Sequence, residues 1–151
     1  MKPLIILLFI FTIISCNQEE KPQRKDGFSE VPKTKEDSLY KEVMDGHNIG
    51  MARYNSVKKA ITKTQQQLDS LSKLSKNKVD PKYQQALIDL KEDLNYADYA
   101  MFKWMEEFKN DSAKGNAELR IRYLESEKDK VNKVKDAILN GLKRADSLLK
   151  N

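Results

Sequence analysis

Met44, His47 and Met51 stand three and four residues apart. In a helix those offsets put the three side chains on one face. Met101, Trp104 and Met105 repeat the same offsets further along the chain. Thioethers and a neutral imidazole are soft to borderline donors that suit Cu(I) or Ag(I), and an indole face adds a cation–π contact. The competing expectation for these six residues is core packing, with no cofactor. Met fills irregular gaps, Trp brings a large buried area, and sulfur–aromatic contacts are favourable without any metal. Packing is the first expectation here and a Cu(I) or Ag(I) site the second.

Little else in the chain has the makings of a reactive centre. Histidine occurs once and cysteine once, at Cys16. No Ser sits in a nucleophile-elbow context, so a Ser-His-Asp triad has no natural nucleophile. Glu-x-x-His, the pattern of di-iron bundles, is absent, as is a glycine-rich phosphate loop. The carboxylates alternate with Lys, as on solvated helix faces. The expectation is a chain with no catalytic residues, not an enzyme. Tyr83, Tyr96, Tyr99 and Tyr123 suggest either a stacking surface or interhelical packing, and their places on and beside the second helix's apolar stripe favour packing.

Cys16 has a context of its own. Lys2 precedes a run from Leu4 to Ile14 that is apolar but for Thr12. That run is about half the ~20 residues a membrane span needs. It ends in Ile13-Ile14-Ser15-Cys16. An aliphatic residue, a further apolar residue and a small one before Cys resemble a bacterial lipobox. The expectation is a lipoprotein signal peptide over residues 1–15, removed to leave a lipid-bearing Cys16. With Lys2 gone, the net charge of +5 falls to +4. Such an excess favours acidic surfaces such as lipid head groups, and does not single out nucleic acid.

Charged residues make up 34% of the chain and aromatics 8%, with five Gly and four Pro. That is the balance of long helices rather than sheet. Residues 16–35 are charged, are interrupted by Pro22, Gly27 and Pro32, and have Phe28 and Val31 as their only large apolar side chains. They cannot bury enough surface to offset ordering entropy, which predicts a flexible tether.

The remainder, 36–151, reads as three amphipathic helices, over about 36–76, 81–109 and 116–150. Thr34 and Asp37 have capping-box spacing. The first stripe runs through Val43, His47, Gly50, Tyr54, Val57, Ile61 and Thr64. Gly46 and Gly50 imply either a close helix approach or a break at Asp45-Gly46. Asp80-Pro81 is a cap followed by a favoured first helical residue. The second stripe is Leu87, Leu90, Leu94, Ala97, Met101, Trp104 and Phe108. The third includes Ile121, Leu124, Val131, Ile138, Leu142 and Ala145, with Lys128 an awkward member. Short connections predict an all-α, antiparallel three-helix bundle. Counting out from a turn near Lys78 sets Met51 opposite Glu106 and His47 opposite Asn110. That register brings Ile121, Arg122 and Glu125 of the third helix to the same end.

Taken in order, the lipobox, the charged tether, Val43-Met44-Asp45-Gly46-His47 with Met51, Asp98-Tyr99-Ala100-Met101-Phe102-Lys103-Trp104-Met105 with Phe108, and Tyr123-Leu124-Glu125 resemble a family of small Bacteroidota lipoproteins. These often carry the name "viral A-type inclusion protein". The family usually has Asp after this His and Pro after the Met, where Asn48 and Ala52 stand here. The resemblance implies a helical envelope lipoprotein and transfers no catalytic residue. The expectation is therefore a non-catalytic binding or structural module of the bacterial envelope, at the outer membrane, anchored through Cys16 and meeting an envelope protein rather than nucleic acid. A Cu(I) or Ag(I) carrier using Met44, His47, Met51, Met101, Trp104 and Met105 is the alternative, and a holdase-like periplasmic chaperone a weaker one.

Overall fold

A computed structural model describes residues 31–149 of the chain. The expected signal peptide, Cys16 and most of the expected tether lie outside the described residues. From Pro32 onward the chain forms one compact unit. It consists of helix α1 (Lys35–Ser72), a single 3-10 turn (Lys76–Lys78), α2 (Pro81–Glu107) and α3 (Ala117–Leu148). Among the described residues there is no strand. Each helix packs on both others, so the fold is an all-helical three-helix bundle.

The helices start where local chemistry tells them to. At the head of α1 the Thr34 hydroxyl accepts from the Asp37 N–H at 3.0 Å, and the Asp37 carboxylate accepts from the Thr34 N–H at 3.1 Å. This reciprocal box satisfies two otherwise orphaned donors. Asp80 accepts from the Lys82 N–H at 2.9 Å, with Pro81 at the first position of α2. Asn116 accepts from the Leu119 N–H at 3.1 Å to open α3. Between α2 and α3, Ala113 takes a left-handed φ of 59°, a conformation that costs an L side chain energy.

Contacts along the helices fix their directions. His47 meets Met105 and Lys58 meets Asp98, so α1 and α2 run antiparallel. Asp93 pairs with Arg144 and Trp104 with Glu127, so α2 and α3 do too. Lys35–Glu125 and Glu42–Lys128 then run in parallel order between α1 and α3. The core is one continuous cluster that includes Val43, Val57, Leu90, Leu94, Met101, Trp104, Leu124, Val131 and Ile138.

α1 continues without a break through Gly46 and Gly50, and both glycines are buried. A Cβ at Gly46 would stand 3.0 Å from Val131 Cγ1 of α3, and one at Gly50 would overlap Met101 Cε of α2. Close approach, not helix breaking, is their role.

Several expectations need correction. α1 ends at Ser72, a 3-10 turn follows at Lys76–Lys78, and the hairpin register sets His47 against Met105 rather than Asn110. Met101, not Glu106, is the level partner of the Gly50–Met51 turn. On α3 the buried stripe passes through Arg120, Glu127 and Gly141. Lys128 stands outside it, paired with Glu42 at 3.2 Å. Ile121, Arg122 and Glu125 do lie at the end where α1 begins and α2 finishes, Arg122 paired with Glu118 on the surface and Glu125 with Lys35. Tyr96 and Tyr99 do not pack between helices: they are 62% and 60% exposed. Thr64 is a true core residue, its hydroxyl donating to the Ala60 carbonyl at 2.7 Å.

Two outcomes follow. Gly50→Val should destabilise the bundle by about 1–3 kcal/mol through overpacking against Met101 and Ile138, read as a lower urea midpoint with unchanged slope. The Thr34 hydroxyl and the backbone N–H groups of Lys33 and Thr34 hold the Asp37 carboxyl below its ordinary value of 3.8. The cap's contribution is therefore present above that pH and is lost as pH falls through the lower folded value. Asp37→Asn should flatten this acid limb in a pH series of unfolding curves.

Candidate functional site

One end of the bundle gathers most of the chain's distinctive side chains. It is the end where α1 begins, α2 finishes and α3 starts. His47 projects from α1 toward α2, because it lies one residue past Gly46 on the flank of the buried face. Its Nε2 lies 3.4 Å from Met105 Sδ, and its Nδ1 lies 3.1 Å from the Asn48 amide oxygen. The Trp104 ring sits beside the imidazole, 5.6 Å between centres and tilted by 36°.

The aromatic contacts continue across the bundle. Trp104 stacks on Phe108 at 5.0 Å, and Phe108 on Tyr123 of α3 at 6.1 Å. The guanidinium of Arg120 lies 5.8 Å from the Tyr123 ring. Arg120 then returns the contact to α1, donating Nε–H to Glu36 at 3.0 Å and a terminal N–H to the Ser112 carbonyl at 2.9 Å. The Tyr123 hydroxyl accepts from the Lys109 N–H at 2.7 Å. This column ties all three helices and the α2–α3 loop together, and the Ser112 contact stands beside the left-handed Ala113.

Two charged residues are buried here. Glu127 is 3% exposed and Arg120 2%. The Glu127 carboxylate accepts from the Trp104 indole N–H at 3.0 Å and from the Lys130 ammonium at 2.8 Å. Glu127 holds the Lys130 ammonium above its ordinary value of 10.5. A buried carboxylate is tolerated when its oxygens are both engaged, and here each has a donor. The Trp104 indole is thereby locked in orientation as well as in position.

Of the six residues with ligand chemistry, the structure brings His47, Trp104 and Met105 into mutual contact. Met44 and Met51 are half-buried one turn to either side of His47. Met101 is fully buried, and its terminal methyl fills the notch at Gly50. It belongs to the core. No group of three His, Cys, Asp or Glu side chains able to hold a metal occurs among the described residues. Cys16 lies outside them. Sequence reasoning passed over Glu127 and Arg120. The one available signal was their three- and four-residue spacing to Leu124 and Val131, which puts both on the apolar stripe.

An open groove of about 540 Å³ lies elsewhere, between α1 and α3, with Lys59, Lys63, Leu142 and Ala145 among its walls. It is about three helical turns along α1 from His47. No described helix is long and apolar enough to cross a membrane.

No family model, curated protein or solved structure matches the chain.

The indole–carboxylate bond gives a direct test. Glu127→Leu leaves the Trp104 N–H buried without an acceptor and should cost about 1–3 kcal/mol. Glu127→Gln keeps an oxygen acceptor and should retain most of the stability. Urea unfolding followed by the fluorescence of the single Trp measures both.

Proposed function

We propose that this protein is a non-catalytic lipoprotein of the bacterial envelope, anchored at the outer membrane through lipid on Cys16. The bundle is its binding or structural module, and its partner is an envelope protein. The observation that carries this reading is the placement of the sole cysteine directly after Ile13-Ile14-Ser15, at the end of a short apolar run behind Lys2. A cysteine used only for packing has no need of that context. The likeness to small Bacteroidota lipoproteins supports the same reading.

The bundle's surface and interior fit a module of this kind. The apolar stripes of the three helices close on one another, with Val43, Leu87, Leu90, Leu94, Met101 and Leu124 fully buried. The filled core weighs against a holdase-like chaperone, which needs an open apolar cradle. On the solvent side of α2, Tyr96, Tyr99 and Phe102 step along the helix by threes and are all exposed. Exposed Tyr and Phe are over-represented where proteins meet partners. Lys103 lies 5.8 Å from the Tyr99 ring, and Tyr54 meets the edge of Phe102 at 5.5 Å. This aromatic face supports the binding side of the proposal.

Metabolic labelling with a palmitate analogue tests the anchor. The wild-type chain should take up label and fractionate with membranes, and Cys16→Ala should lose both properties. Equal labelling of the two chains would overturn the proposal.

A further inference from the structure

The contact between His47 and Met105 joins two groups that both carry lone pairs. An amide oxygen can only accept, so the Asn48 oxygen 3.1 Å from Nδ1 suits the tautomer that carries its proton on Nδ1. In that tautomer Nε2 is free to act as a ligand, and it lies 3.4 Å from the Met105 sulfur. A soft cation between these two atoms would be coordinated by both.

We propose that His47 Nε2 and Met105 Sδ are the primary ligands of a site for a soft monovalent metal ion, Cu(I) or Ag(I), flanked by the indole of Trp104. The donor set is the argument for the ion. A thioether sulfur discriminates against hard cations and favours soft ones, and imidazole serves both. The spacing also fits. The 3.4 Å N···S separation is short enough for one ion to contact both atoms.

The surroundings are built for this role. With the proton on Nδ1, the contact to the Asn48 oxygen is the type of outer hydrogen bond that orients a ligating His. The Trp104 ring centre is 5.6 Å from that of His47, which sets an aromatic ring beside the imidazole that would hold the ion. Glu127, through the indole N–H, holds that face in place and acts as a positioning residue. His47 and Met105 are half-buried, so an ion can reach them from solvent. Met44 and Met51 are half-buried one turn of α1 to either side of His47. Met101 takes no part, because its sulfur side chain is sealed in the core against Gly50. The site is independent of the lipid anchor.

The test uses the full chain carrying Cys16→Ser in detergent, so that no thiol competes. Silver nitrate is added in chloride-free buffer, and the fluorescence of Trp104, the only Trp, is followed. Saturable quenching complete at one equivalent is expected. His47→Ala and Met105→Leu should each weaken the apparent affinity by at least about 10-fold, the lower limit known for losing even an outer-sphere partner. Met101→Leu, which conserves volume, should leave it within about twofold. Absent or non-saturating quenching, or quenching that either ligand substitution leaves unchanged, would overturn the paired site. The contact would then be an Nε2–H···S hydrogen bond within ordinary packing. Circular dichroism checks that each variant keeps its helices. If a variant does not, the imidazole 15N shifts of the Cys16→Ser chain decide. Silver should move Nε2 far more than Nδ1, and an unmoved Nε2 would reject the site.

Discussion

The bundle depends on how closely its helices can approach one another. Three glycines set that spacing, and each lies at a different helix–helix contact. Gly46 receives Val131, Gly50 receives the Met101 methyl, and Gly141 receives Leu94, whose Cδ2 would stand 3.1 Å from an added Cβ. Each glycine sacrifices helix propensity, by about 1 kcal/mol relative to Ala. What the fold gains is interdigitation of Val, Met and Leu side chains at the density of a close-packed interior. The short reach between His47 and Met105 is a consequence. With α1 held off by ordinary side chains at positions 46 and 50, an imidazole on its flank would not touch a thioether on α2.

Apolar stripes alone leave such a bundle free to slide by a turn, because one heptad resembles the next. Directional contacts at the end where α3 begins remove that freedom. The indole N–H of Trp104 meets a carboxylate only when Glu127 is level with it. Arg120 reaches both Glu36 and the Ser112 carbonyl only when α1, α3 and the loop are in one arrangement. Burying charges this way adds little net stability. Its effect is to make every other register leave a charge or an N–H without a partner. The same constraint fixes the plane of the Trp104 ring beside His47. Orientation of the aromatic face and register of the helices are one structural fact.

The surface divides in a corresponding way. Several surface charges form pairs along or between helices, such as Lys41–Asp45, Lys58–Asp98 and Arg144–Asp93. Exposed pairs of this kind contribute little to stability and keep the bundle soluble. The aromatic stripe on α2 breaks that pattern, with Tyr96, Tyr99 and Phe102 turned to solvent. The half-buried His47–Met105 pair lies on the neighbouring α1–α2 flank. The aromatic stripe and the His47–Met105 pair therefore both involve α2, the central helix of the chain order, while α1 and α3 close the core behind it.

By itself the sequence determined what is local. Thr34 with Asp37 and Asp80 with Pro81 act through donors within three residues of themselves, so capped starts were legible for two helices. The three- and four-residue spacing of Leu87, Leu90, Leu94, Ala97, Met101 and Trp104 is the spacing of a helix face, and all six are buried. Three such stripes with short connections leave a three-helix bundle as their way to shed apolar surface. What tertiary structure decided is everything that depends on a second helix. The α1–α2 register sets His47 against Met105, and no side-chain pattern on either helix specifies the length of the connection between them. The hidden side of α3 was set by its neighbours: Glu127 is buried because Trp104 offers it a donor, while Lys128, one position on, finds Glu42 and stays outside. Tyr96 and Tyr99 face solvent because α1 and α3 both lie on the opposite side of α2. A helical pattern says that a side chain must be covered, and only the packed partner decides what covers it.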